Sequence, residues 1–200
     1  RQQVAVTPRP GAGRSPACFL DRDGTRIEDV GYLDALDRVA FYPWTVDAIR
    51  MLNRAGLPVV VVTNQSGIAR GIFDEAFVAE TQRHVDARLE AGGARVDAYY
   101  YCPHHPDGRV AAYARGCDCR KPGRGMIDQA AADLGLDPSR SFVVGDTWRD
   151  VQLGRAVGAT SILVRTAQGA AIEQSPPEGA YADAVGDNMA STDSGLLPCD

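Results

Sequence analysis

The sequence predicts an α/β fold built on a central parallel sheet, and three observations carry that prediction. Short apolar, β-branched runs alternate with segments whose apolar residues recur at helical spacing. Glycines close several of the helical segments. The polar motifs worth naming each follow an apolar run, which gathers them at one edge of a sheet. Such alternation implies parallel strands with right-handed crossovers. Ligands of these sheets bind beyond the carboxyl ends of the strands.

The elements follow in order. Residues 17–20 form a short buried strand that runs into Asp21 and Asp23. Residues 45–55 carry Val46, Ile49, Met51 and Leu52 at helical spacing and end at Gly56. Residues 57–62 are wholly apolar and β-branched after Pro58, the signature of a strand covered on both faces. Residues 74–91 repeat Phe77, Thr81, Val85 and Leu89 along one helical stripe. Residues 96–101 form a third strand, and 102–119 a loop with little periodicity. A helix is expected over 125–134, closed by Gly135, and a strand over 141–144 that runs into Gly145-Asp146. Residues 151–157 are helical up to Gly158, and 160–164 form a fifth strand. Residues 167–177 read as loop, 182–185 as a small edge strand, and a short helix is expected from Asn188 on.

The 200 residues suggest one domain. Residues 1–15 read as a flexible lead-in rich in Pro and Gly, 16–190 as the domain, and 191–200 as a tail. An apolar content of 44% suffices for a full core. The net charge of −5 counts against a general nucleic-acid binder, which would carry a basic face. No apolar stretch approaches the roughly 20 residues of a membrane span. A cytoplasmic monomer that takes a small molecule, with neither nucleic acid nor membrane as partner, is the expectation.

The chemistry starts with Asp21 and Asp23. Two acids at a strand exit repel each other and resist desolvation. They suit a site where a cation sits between them, or where one is nucleophile and the other acid/base; an Asp-Gly turn is the plain alternative. Thr63, Lys121 and Asp146 shift the balance. Phosphoryl transfer needs a nucleophile, a proton shuttle, a divalent cation and clamps on the phosphate oxygens. Mg²⁺ prefers oxygen ligands, which Asp21 and Asp146 can supply. Thr63 and Lys121 can hold phosphate oxygens. Taken singly, Thr63 could cap a loop, Lys121 could be solvated, and Asp146 could cap a helix.

A second cluster lies in the irregular loop. Cys102-x-His104 and Cys117-x-Cys119 supply three thiolates and one imidazole, a closed tetrahedral set for structural Zn²⁺. His105 competes with His104, and spacing does not decide between them. A zinc-stabilised binding module is the non-enzyme reading; the overall acidity counts against it.

Asp21-x-Asp23-Gly24-Thr25, Thr63 after an apolar strand, Lys121-Pro122 before a helix and Gly145-Asp146-x-x-x-Asp150 resemble the four motifs of the haloacid dehalogenase-like (HAD) phosphatases. The resemblance spans about residues 17–166 and implies a Rossmann-like three-layer sandwich. It implies Asp21 as nucleophile through an aspartyl-phosphate and Asp23 as general acid/base. Thr63 and Lys121 would be phosphoryl clamps. Mg²⁺ would be held by Asp21, Asp146 and the Asp23 carbonyl, and Asp150 would support Asp146 or a lysine. The stretch between Asp23 and residue 45 leaves no room for a large cap domain, so the site should be open.

Within that family the strings at 29–32, 63–71, 102–106 and 117–122 resemble the heptose 1,7-bisphosphate 7-phosphatases of carbohydrate metabolism. The histidinol-phosphate phosphatases, which share the zinc loop, are the runner-up. By that resemblance Asp29, Val30, Gly31, Tyr32, Thr63, Asn64, Gln65, Ser66, Arg120, Lys121 and position 147 contact a sugar bisphosphate. The planar fork of Arg120 suits a distal phosphate. Thr147 departs from the pattern, in which lysine is frequent there, and so removes a positive charge beside the metal site.

Overall fold

A computed structural model of the protein describes residues 14–192. Seven strands form one sheet in the order β3-β2-β1-β4-β5-β6-β7. They are β1 Cys18–Leu20, β2 Val59–Asn64, β3 Ala98–Cys102, β4 Phe142–Gly145, β5 Thr160–Val164, β6 Ala184–Asn188 and β7 Ser191–Thr192. The first six are parallel and β7 is antiparallel to β6. The helices are α1 Thr45–Arg54, α2 Ser66–Arg70, α3 Glu75–Ala91, α4 Gly125–Leu134, α5 Trp148–Val157 and α6 Gly169–Glu173.

Two apolar layers sandwich the sheet. Cys18 and Leu20 of β1 join Ile49 and Leu52 of α1 and Val85 and Leu89 of α3 on one face. Phe19, between them, joins Ile127 and Ala130 of α4 and Leu153 and Val157 of α5 on the other. This is the strand alternation expected where both faces are covered. Each fully buried side chain of this size contributes about 1.5–3 kcal/mol, which lets a strand as short as β1 hold the centre of the sheet. In the order 3-2-1-4-5 the winding reverses between β1 and β4. The crevice beyond their carboxyl ends is the switch point where α/β sheets place ligands.

The predicted strands and long helices are present with ends displaced by a few residues. Four features differ. β2 runs on through Thr63 and Asn64, because β3 continues to pair with it as far as Asn64↔Cys102. The short helices α2 and α6 form in stretches that carry no periodicity long enough to reveal them. Among the described residues, no helix follows Asn188. Its side chain instead accepts bonds from the backbone N–H of Ala190 and Ser191, at 2.8 and 3.1 Å, and turns the chain into β7. β7 therefore lies outside β6, the expected edge strand. Ser15, at the end of the expected lead-in, is bonded to Gly135 and Asp137. The rest of the lead-in up to residue 13, residues 193–200 of the tail, and Cys199 lie outside the described residues. Only a short turn at Leu36–Arg38 interrupts the chain between Asp23 and α1. Among the described residues, no helix is long and apolar enough to cross a membrane.

Candidate active site

Three strand ends and one loop build the site. Asp21 leaves β1 with its backbone N–H bonded to Val144 of β4 at 3.0 Å. Gly24 then takes the left-handed conformation at φ 77°. A Cβ there would collide with the Asp146 carboxylate, so only glycine lets the two strand ends approach this closely. Asp146 follows β4 directly. Gly145 before it faces the Asp150 carboxylate, where a Cβ would again collide.

Lys121 arrives from the loop after β3. Asn64 at the end of β2 seizes its backbone: Lys121 N–H donates to Asn64 Oδ1 at 3.0 Å, and Asn64 Nδ2 donates to the Lys121 carbonyl at 3.3 Å. The buried ammonium donates to Asp150 Oδ1 at 2.6 Å, Asp21 Oδ1 at 2.8 Å and the Val62 carbonyl at 3.0 Å. Those three bonds occupy every donor a lysine has. Burial would lower the Lys121 pKa, but the Asp150 and Asp21 charges outweigh it and hold it above the ordinary lysine value.

The acids are crowded. Asp21, Asp146 and Asp150 each place an oxygen within 4.8 Å of the others. Burial raises the Asp21 pKa to about 6; Lys121 opposes the shift, and Asp150 and Asp23 add to it. Burial, together with the charges of Asp21 and Asp150, raises Asp146 to about 8. Asp150 is fully engaged: Oδ1 takes Lys121, and Oδ2 takes the backbone N–H of Thr147 at 3.2 Å in a capping box on α5. Asp146 is not. Its Oδ2 accepts the Gln168 backbone N–H at 3.3 Å, while its Oδ1 is buried with no hydrogen-bond partner. A buried bare carboxylate oxygen on Asp146 beside the Asp21 carboxylate fits a hard divalent cation.

A cavity of about 270 Å³ opens above these groups. Of the residues implied by family resemblance, Asp21, Asp23, Asp29, Gly31, Tyr32, Thr63, Asn64, Ser66, Arg120, Lys121, Asp146 and Thr147 line it. Two do not. Val30 packs against the core, and Gln65 lies buried beneath Asp23 and Thr63, bonded to both. Arg149 and Gln168 also line the cavity and were not anticipated. Gln168 falls in a stretch read as loop, and its side-chain amide reaches Asp29 Oδ2 at 3.3 Å. Arg149 is legible only as an arginine one helical turn from the site. Beside the cavity stands a cationic cluster. Arg70 lies 3.3 Å from His105, whose pKa is lowered by burial and then by the charges of Arg120, Arg70 and Arg149.

The second cluster is compact. The three sulfurs of Cys102, Cys117 and Cys119 lie 3.4, 3.3 and 3.3 Å apart. His104 Nδ1 lies 3.4 Å from Cys119 Sγ and 3.8 Å from Cys102 Sγ. One ion at about 2.3 Å from each sulfur reaches all four atoms, so the set can hold zinc. His105 points elsewhere, toward Asp107 and Arg70. A larger cavity of about 550 Å³ lies against this cluster, lined by Tyr100, Tyr101 and Tyr113. It contains none of the strand-end acids, so its size does not mark the chemistry.

Comparison with known proteins agrees with this geometry. Residues 118–191 match the family described as HAD-hydrolase-like. The chain is 45% identical over 152 residues to the D-glycero-beta-D-manno-heptose-1,7-bisphosphate 7-phosphatase of Yersinia pestis, covering 76% of this chain and 81% of that protein. A solved D,D-heptose 1,7-bisphosphate phosphatase from B. bronchiseptica, complexed with magnesium and phosphate, superposes with TM-score 0.77. It has 35% identity and the match covers 88% of this chain and 94% of that one. The corresponding protein of Burkholderia thailandensis gives TM-score 0.64 at 30% identity, covering 88% and 95%. The chain belongs to the HAD phosphatase family, in the group of the heptose 1,7-bisphosphate 7-phosphatases.

Proposed function

We propose that the protein removes the C7 phosphate of D-glycero-β-D-manno-heptose 1,7-bisphosphate, leaving the heptose 1-phosphate. The observation that carries this reading is one cavity lined both by the buried Asp21, Thr63 and Lys121 and by the more exposed guanidinium groups of Arg120 and Arg149, whose charges, with that of Arg70, also act on His105. A substrate with phosphates at both ends satisfies both groups. Histidinol phosphate would bring an amine to the same arginines, which repel it. The names of the relatives support the β anomer.

In the first step Asp21 attacks phosphorus, and the phosphorus–oxygen bond to the sugar breaks. Asp23 gives its proton to the departing sugar oxygen. In the second step Asp23 takes a proton from water, whose oxygen attacks the aspartyl-phosphate and frees phosphate and Asp21. The Thr63 hydroxyl holds a phosphoryl oxygen throughout. Lys121 starts with all three donors engaged. When Asp21 is esterified it loses its charge, and the Lys121 N–H that faced it turns to the phosphoryl group. Asp150 keeps the ammonium in place during that exchange. Asp21, Asp23 and Asp146 would hold Mg²⁺, which when bound offsets charge on the phosphate oxygens. Zn²⁺ on Cys102, His104, Cys117 and Cys119 would pin the loop that delivers Arg120 and Lys121. Thiolate ligands of that kind suit the reducing cytoplasm.

Phosphate release from both anomers of the heptose bisphosphate, with histidinol phosphate alongside, tests the substrate. The β anomer should give the highest kcat/KM. Arg120→Ala should lower it about ten- to a hundredfold, the cost of one lost charged hydrogen bond, with little loss on a monophosphate. Preference for histidinol phosphate would overturn the substrate assignment and leave the fold untouched.

Magnesium linkage has a definite sign. In metal-free protein Asp21 and Asp146 hold protons to about pH 6 and about pH 8, above the unfolded carboxylate value, so the folded state binds more protons across that window. Stability in magnesium-free buffer should therefore fall as pH rises through it. The gain in Tm on adding Mg²⁺ should grow over the same range. Asp146→Asn should flatten both trends; a Mg²⁺ effect independent of pH would contradict the assignment.

Metal analysis should find one zinc per chain. His104→Ala should lose it and lower Tm, whereas His105→Ala should retain it. Zinc loss in the His105 variant alone would reverse the ligand assignment.

A further inference from the structure

Asp23 is only partly buried for a residue that must deliver a proton along one direction. Its side chain is 24% exposed, and the chain between it and α1 supplies no cap to press it into place. A carboxylate free to rotate in water would spend most of its time misdirected, and a displacement of about 1 Å can cost about a hundredfold in rate.

Two buried neighbours remove that freedom. Arg22 is 5% exposed and Gln65 3%. The Arg22 side chain folds back so that Nε donates to Asp23 Oδ1 at 3.0 Å and Oδ2 at 3.1 Å. Arg22 Nη2 donates to Gln65 Oε1 at 3.0 Å. That bond fixes the amide's orientation: with its oxygen turned to a donor-only guanidinium, Gln65 Nε2 must face the other way. There it donates to Asp23 Oδ2 at 3.0 Å and to Thr63 Oγ1 at 2.9 Å. Because Thr63 Oγ1 accepts from Gln65, its own proton is left free for the cavity that Thr63 lines. One guanidinium thus orients the acid/base directly and the phosphoryl-binding hydroxyl through a single amide.

We propose that Arg22 and Gln65 are positioning residues that hold the Asp23 carboxylate and the Thr63 hydroxyl proton in their working directions. The inference rests on the phosphatase reading above. It gives Gln65 a role beneath the reacting groups in place of direct contact with the sugar. It also explains a basic side chain between two acids, where a solvated residue would serve a simple turn equally well.

The readout is the dependence on leaving group. A sugar alkoxide needs the Asp23 proton to depart; p-nitrophenolate departs without it. In Arg22→Met and Gln65→Met, kcat/KM for the heptose bisphosphate should fall about a hundredfold, within the usual worth of a general acid. The loss on p-nitrophenyl phosphate should be under about tenfold, from the Thr63 hydroxyl alone, so the ratio of the two shifts about tenfold or more against the sugar ester. KM for the bisphosphate should stay near the wild-type value. Equal losses on both substrates, or none on either, would overturn the proposal. Thermal melting checks folding, and if Arg22→Met does not fold, Gln65→Met decides by the same ratio. Asp21→Asn separates the two levels of argument. An active Asp21 variant would refute Asp21 as the nucleophile, and with it the mechanism on which the inference rests, whereas an inactive one beside an unchanged ratio would refute only the positioning role.

Discussion

One buried ammonium governs this structure. Asp21, Asp146 and Asp150 crowd within 4.8 Å, and at an effective dielectric of about 20 each pair of charges at that distance repels by about 3 kcal/mol. Lys121 offsets part of this by binding Asp150 and Asp21 together, and three carboxylates against one ammonium still leave a surplus of negative charge. In the metal-free protein burial, with the charges of Asp21 and Asp150 added to it, pushes Asp146 to about 8, so a proton there relieves part of that surplus. In the proposed enzyme Mg²⁺ and the substrate phosphate relieve it. Asp150 has a different task from the other acids. Its oxygens are spent on Lys121 and on the start of α5, so it anchors the ammonium and, in the proposed enzyme, would leave Mg²⁺ to Asp21, Asp23 and Asp146.

Much of the fold is arranged to bring Lys121 to that place. It comes from an irregular loop with no apolar core of its own. The loop is fixed at one point by the Cys102–His104–Cys117–Cys119 cluster and at another by the two backbone bonds of Asn64. Stability and chemistry meet in the two residues after Cys119. Arg120 and Lys121 both line the cavity, Lys121 buried and Arg120 more exposed. This couples the proposed zinc site to catalysis through position alone, with no chemical part for the zinc itself.

The sheet, its long helices and the gathering of polar residues at its strand ends were legible because they rest on signals local to the chain: β-branched runs, helical stripes, acids and thiols at short spacing. What stayed hidden depends on contacts between distant segments. Helix α6 is too short to show a period, yet it follows Gln168, whose backbone and side chain tie Asp146 to Asp29. The expected helix after Asn188 gave way to a turn made by one Asn side chain. His104 and His105 are indistinguishable by spacing; only the fold turns one toward the thiols. Gln65, implied as a substrate contact through the string around it, lies under Asp23 and Thr63 because β2 extends farther than its apolar run. Arg22 lies between two acids in the sequence, but its role depends on Gln65, the residue between β2 and α2.

The central claim is that Asp21, held by Lys121, attacks phosphorus before water does. The stereochemical course at phosphorus tests it most directly, with a substrate whose transferred group is an isotopically chiral phosphorothioate. Two in-line displacements, the first by Asp21 and the second by water, predict retention of configuration in the released thiophosphate. Inversion would mean a single direct attack by water and would contradict the account.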